Sequence, residues 1–273
     1  MSDGVHTERY RVEPGKKVNR EEWDPDDSSG FAGGEKEARS LSVELDKTLD
    51  QLQEKLYAEH KHKVLIVLQA MDTGGKDGTI RRIFRGVNPS GVRVAHFREP
   101  TPDEVDHDFL WRVHLQVPGK GEITIFNRSH YEGVLVERVL GIVPKKTWHL
   151  RYRQINDFER MLTEEGTMVL KFYLHIDSAE QKRRIQERLD DPSKQWKFST
   201  DDLAQRKFWE DYMKAYERVL EETSTKWAPW YVVPANRKWF RDLLVASVIV
   251  KALERLDPKY PHLDRDPKSI NVP

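Results

Sequence analysis

Apolar and polar positions alternate along the chain with two periods, and the switches between them divide it into strands and helices. Leu41, Val43, Leu45, Leu49, Leu52 and Leu56 recur at near-helical spacing and predict a helix with one apolar face. Residues 64–69 form a branched apolar run, short enough for a buried strand, that stops at a Gly-rich turn. Segments 91–97, 122–126, 167–176 and 231–234 read as four further strands. Helical patterns follow from Thr79 and over 109–117, 132–140, 146–162 and 238–256. Strands alternating with helices predict a parallel sheet covered on both faces, a three-layer α/β fold. Residues 1–35 are rich in Pro, Gly, Asp and Ser, and predict an irregular arm that lies on the domain or is partly disordered. The domain is then expected over 36–260, with a Pro-rich tail over 261–273.

The turn after the first strand carries the most chemical information. Gln69-Ala70-Met71-Asp72-Thr73-Gly74-Gly75-Lys76-Asp77-Gly78 links a strand to a helix, the context that a phosphate-binding loop requires. Small residues at Gly74, Gly75 and Gly78 let backbone N–H groups converge on an anion, and Lys76 adds a point charge at a helix N-terminus. The common pattern is G-x-x-x-x-G-K-[ST]. Here Ala70 replaces the first Gly, and Asp77 replaces the hydroxyl that binds magnesium. Metal must therefore be held elsewhere, and Asp72 is the candidate.

Composition narrows the setting. The 273 residues suit one α/β domain with a mobile subdomain. Lys plus Arg and Asp plus Glu each number 46, so bulk charge gives no reason to expect nucleic acid, and any polyanion site must come from local clustering. The chain has no Cys, which excludes disulfides and thiolate metal sites. No apolar run approaches the roughly 20 residues of a membrane span, and the start carries no secretion signal. A soluble, cytoplasmic protein is expected.

Two more segments carry candidate chemistry. The third strand ends in Asn127-Arg128-Ser129, where phosphate-loop enzymes place an acidic residue that orients metal; Asn127 can only coordinate weakly or accept a hydrogen bond, while Arg128 can grip phosphate. Asn127 lacks the negative charge of that acidic residue and cannot act as a base. After the fourth strand, Arg184 and Arg188 are four apart on a predicted helix, with Arg183 beside them, the stripe a kinase lid over about 178–207 needs. The alternative is a solvated face paired with Glu180 and Glu187. His60 and His62 read as surface residues, and Trp227, Trp230 and Trp239 as packing residues.

These segments together resemble the polyphosphate kinase 2 family. The match runs through Asp72-x-x-Gly75-Lys76-x-Gly78-Thr79, Asn88-Pro89-x-Gly91, Phe109-Leu110-Trp111-Arg112, Phe126-Asn127-Arg128-Ser129-x-Tyr131, Val136-Glu137-Arg138-Val139, Trp196-Lys197 and Ala228-Pro229-Trp230, in order over about 35–260. The resemblance implies a P-loop kinase-like fold with a helical lid, and transfer of phosphate between inorganic polyphosphate and a nucleotide with magnesium. It places Asp72, Lys76, Asn127, Arg128 and Glu137 in catalysis, with Asp72 and Glu137 on the metal. Phosphate binding would involve Gly74, Gly75, Lys76, Asp77, Gly78, Arg81, Arg82, Arg112, Arg183, Arg184 and Arg188. The Asn-Arg-Ser-His-Tyr-Glu form resembles the branch that phosphorylates both AMP and ADP.

The chemistry is consistent with those residues, because phosphoryl transfer needs alignment and charge screening more than covalent help. Arg81, Arg82, Arg85, Lys120 and the lid arginines would form a cationic track for polyphosphate. AMP, ADP and ATP are the expected nucleotide partners, in a homo-oligomer. Two other readings remain: an ATP-dependent nucleotide kinase, disfavoured by Ala70 and Asp77, and a non-catalytic polyanion-binding protein, disfavoured by the joint presence of Asp72, Lys76, Arg128 and Glu137.

Overall fold

A computed structural model describes residues 4–264 and Ile270. Helix α1 (Glu35–Glu59) opens where the Glu37 side chain accepts from the Gly34 N–H at 3.1 Å and ends at His60 in left-handed conformation. It buries Leu45, Leu49 and Leu56, whereas Val43 of the predicted face is half exposed. Strand β1 (Lys63–Gln69) then enters the centre of a five-stranded parallel sheet of order β2-β3-β1-β4-β5. Helix α2 (Lys76–Ile83) leads to β2 (Val92–His96). Two single-turn helices, α3 (Pro102–Val105) and α4 (Trp111–His114), precede β3 (Ile123–Asn127).

The helix predicted over 132–140 is interrupted: a 3-10 turn at His130–Gly133 is followed by α5 (Val136–Val139). Then come α6 (Lys145–Glu164), β4 (Thr167–His175), α7 (Ser178–Asp190), α8 (Thr200–Arg206), α9 (Trp209–Thr223), β5 (Trp230–Pro234) and α10 (Lys238–Leu256). The sequence pattern did not single out α9.

β1 is buried on both faces, so its alternate residues feed two cores. Val64, Ile66 and Leu68 join the layer of α1 and α10; Leu65 and Val67 join that of α6 and α9. The N-terminal arm lies on the domain. Val5 bridges Phe31, Arg11 bridges Tyr231 of β5, and Tyr10 is buried with its hydroxyl donating to Asp27 at 2.7 Å. Among the described residues, no helix is long and apolar enough to cross a membrane. Residues 265–269 and 271–273 of the expected tail lie outside the described residues.

Candidate active site

Strand order switches sides at β1: the first crossovers lead to β2 and β3 on one side, later ones to β4 and β5 on the other. The crevice at the carboxyl ends of the strands is where such sheets bind ligands, and the 70–75 loop lies there. The loop is tight. Thr73 (φ +64°) and Gly75 (φ +105°) both occupy left-handed backbone, and a Cβ on Gly74 would stand 2.5 Å from Ala70 Cβ and 2.8 Å from the Met71 carbonyl oxygen. Lys76, the first residue of α2, reaches back so that Nζ donates to the Ala70 carbonyl at 2.9 Å.

β3 pairs with β1 so that Asn127 stands beside Leu68, which brings the strand end against the loop. Asn127 Nδ2 donates to Asp77 Oδ1 at 2.6 Å, and Arg128 Nη2 donates to Asp72 Oδ1 at 2.9 Å. Arg128 also has left-handed backbone, φ +62°. Behind it, Gln69 Nε2 donates to Ser129 Oγ at 3.0 Å, and Tyr131 and His130 both meet the Glu159 carboxylate, at 2.7 and 3.1 Å. Asp72, Lys76, Asp77, Asn127, Arg128 and Arg188 line one cleft of about 730 Å³.

Charge is concentrated there. Burial pushes the Lys76 ammonium below its ordinary pKa and neighbouring Arg128 adds to this, while Asp72, Glu132 and Asp77 offset part of it. Burial also opposes charge on Arg128, yet Glu132 and Asp72 beside it carry its pKa upward. The Glu132 carboxyl is pushed up by burial, against the pull of Arg128 and Lys76. Burial and then Asp72 raise Asp202, which pairs with Arg188 at 3.1 Å.

The structure distributes the expected cations among several places. Arg188 lines the cleft, as do Lys197, Lys238 and Arg241. Arg184 does too, but it is 5% exposed and faces the loop from beneath: Nη1 donates to the carbonyls of Thr73 and Gly74 at 3.1 and 3.0 Å, Nη2 to that of Ala235 at 2.5 Å, and Nε to Glu180 at 2.6 Å. Its contacts leave it supporting the loop instead of closing over it.

Arg183 pairs with Glu180 and Glu187, the bland outcome for that helix face, and lines a second cleft with Arg82 and Arg85. Arg82 is held by Asp46 at 2.8 Å. Arg112 is turned aside by Glu104 at 3.2 Å and the Arg98 carbonyl at 2.7 Å, and exposed Arg81 does not line the active-site cleft. Lys120 precedes β3, at the end of the strands away from the cleft. Glu137 does not line the cleft either; Arg151 Nη1 donates to its carboxylate at 2.6 Å, so it is not brought together with Asp72.

Whole-chain comparison agrees with this architecture. Residues 33–261 match the polyphosphate kinase 2 family. The chain belongs to that family. It is 57% identical over 264 residues to an AMP/ADP-polyphosphate phosphotransferase of Meiothermus ruber, covering 97% of this chain and 99% of the relative. It is 42% identical to an ADP-polyphosphate phosphotransferase of Rhodopseudomonas palustris, covering 94% and 93%. The crystal structure of polyphosphate kinase 2 from Arthrobacter aurescens TC1 superposes with a TM-score of 0.93 at 43% identity, covering 96% and 93%.

For a member of this family the donor set in the cleft fits magnesium. Among the described residues no group of three or more His, Cys, Asp or Glu side chains is placed to hold a metal. Magnesium ordinarily takes one or two carboxylates and fills its other positions with water and phosphate, and Asp72, Asp77 and the Asn127 amide oxygen are hard oxygen donors of that kind. Glu132 and Asp202 were not among the site residues expected from sequence. Glu132 lay in plain view five residues past Asn127, but only the fold turns it toward Lys76 and Arg128. Asp202 had no local signal, since it reaches the cleft from α8.

Proposed function

We propose that this chain transfers the terminal phosphate of inorganic polyphosphate to AMP and ADP. The observation that carries the reading is the pairing of Lys76 and Arg128 across one cleft with a loop that lacks the first Gly and the hydroxyl of ATP-gripping loops. Lys76, tethered to the loop carbonyl of Ala70, is positioned for the transferring phosphoryl group. Arg128, opposite, offers a planar fork to the equatorial oxygens once phosphate competes with Asp72 for it. Arg188 and Lys197 extend the positive wall along the lid segment, where successive phosphates of a chain need screening.

Magnesium, when bound, would neutralise charge shared between donor and acceptor phosphates. Asp72 is one residue that would hold it. An acceptor phosphate is already anionic, so no side chain has to remove a proton from it. Formation of ADP and ATP from AMP, magnesium and polyphosphate, with no other donor present, tests the proposal. Absence of both products, together with phosphorylation of AMP by ATP, would overturn it in favour of an ordinary nucleotide kinase.

A further inference from the structure

Phosphate-loop enzymes commonly hold their metal with one neutral oxygen and one carboxylate: the hydroxyl follows the loop Lys, and the carboxylate ends the neighbouring strand. This chain has the same inventory with the places exchanged. The residue after Lys76 is the carboxylate Asp77, and the residue ending β3 is the amide Asn127. Either arrangement carries one negative charge. The exchange is not a loose juxtaposition, because Asn127 Nδ2 donates to Asp77 Oδ1 at 2.6 Å. A carboxylate can only accept, so the Asn127 amide must turn its nitrogen to Asp77 and its oxygen away.

Position and charge favour the pair as a metal-facing unit. Asn127 is 7% exposed and set by its strand pairing with β1, whereas Asp77 is exposed in the first turn of α2. The bond between them occupies one carboxylate oxygen and the amide nitrogen, leaving one oxygen on each residue for a cation. Other carboxylates nearby are engaged: Asp72 by Arg128, Asp202 by Arg188, and Glu137 by Arg151 outside the cleft. Among the described residues no ion pair engages Asp77.

We propose that Asp77, oriented by Asn127, supplies the carboxylate toward the metal that the strand end ordinarily supplies in this fold. The inference rests on the phosphotransferase reading above for the presence of a metal, but it concerns which residue holds it. Asn127 is then a positioning residue that fixes the Asp77 rotamer, and Asp77 acts beside Asp72, whose Oδ1 alone is taken by Arg128.

The test is binding of Mn2+ in the presence of ADP without polyphosphate, followed by the electron paramagnetic resonance of free Mn2+, so that nothing turns over. Asp77→Asn should weaken Mn2+ binding roughly tenfold or more, a loss typical of disturbed metal shells. The exchange variant Asp77→Asn with Asn127→Asp returns a carboxylate to the pair and should recover binding to within about threefold of wild type, on the same reasoning. If the exchange variant does not fold, Asp77→Ser with Asn127→Asp, which installs the common pair, replaces it.

Wild-type Mn2+ affinity in Asp77→Asn would overturn the inference, as would an exchange variant no better than Asp77→Asn. The two readings fail separately. A wild type that binds Mn2+ with ADP but makes no ATP from polyphosphate overturns the function alone, and one that makes ATP while Asp77→Asn binds Mn2+ normally overturns the exchange alone.

Discussion

Arg128 combines a left-handed backbone, φ +62°, with a guanidinium held by Asp72 at 2.9 Å. Left-handed geometry costs a non-glycine residue about 1–2 kcal/mol, so the fold retains it against an intrinsic preference. Its counterpart Lys76 is the simpler case. Lys76→Ala should lower turnover by about 3 kcal/mol of transition-state stabilisation, on the order of a hundredfold, with an unchanged thermal midpoint. Initial rates of ATP formation beside a melt measure both; turnover above half of wild type would remove Lys76 from the chemistry.

Glu132 gives a pH signature at the same scale. Its folded pKa lies above the ordinary 4.5, so its contribution to stability is present below that value and is lost as pH rises through the raised one. Glu132→Gln should therefore melt higher than wild type at pH 7.5, and the gap should close toward pH 4. A gap that widens toward acid would reverse the assignment. Sequence exposed Lys76 because strand, glycines and lysine are contiguous. It could not separate Arg184, which holds loop carbonyls, from Arg188, which pairs with Asp202, because i, i+4 spacing fixes a shared helix face but not what stands opposite it.

Strands were the most legible elements, since β1, β3 and β5 are buried on both faces and β1 and β5 carry near-continuous apolar runs. α9 escaped although its buried side, Tyr212, Met213, Ala215, Tyr216, Val219, Leu220 and Thr223, keeps helical spacing, because charged residues stand between those positions along the segment. The break at 130–135 escaped because the partners that hold this turn are distant in sequence. Lys171 of β4 is fully buried, donating to Glu159 at 2.6 Å, to Tyr131 Oη at 2.8 Å and to the Thr223 carbonyl at 2.7 Å, and it thereby ties the turn after Arg128 to α6 and α9.

Removing one member strands the other charge in the core. Glu159→Leu should cost about 3–5 kcal/mol, and adding Lys171→Met should recover much of it. Denaturant titrations of both variants decide the point, and a double variant no more stable than the single would show that the pair contributes more than mutual neutralisation. If the tie also aims Arg128, the double variant should regain stability but not turnover.

At the scale of the molecule, the arm behaves as an added edge of the sheet. Val12 N donates to the Trp230 carbonyl at 2.9 Å, Ser224 Oγ to the Val12 carbonyl at 2.8 Å, and Lys251 Nζ to the Val5 carbonyl at 2.8 Å, so β5 does not present an open row of backbone groups. Tyr10→Ala should cost about 3–5 kcal/mol, the range for a buried aromatic ring. Light scattering of that variant near its melting temperature should rise as β5 is uncovered; a melt within a degree of wild type would make the arm incidental. Arg184 has a mechanical consequence of its own. A lever needs a fulcrum, and this one is bolted: swinging α7 bodily would strip its guanidinium from the carbonyls of Thr73, Gly74 and Ala235 and drag the Gln181 amide from that of Asp72. The stretch beyond Asp190, which brings Lys194, Trp196 and Lys197 to the cleft, is not bolted to the loop in this way.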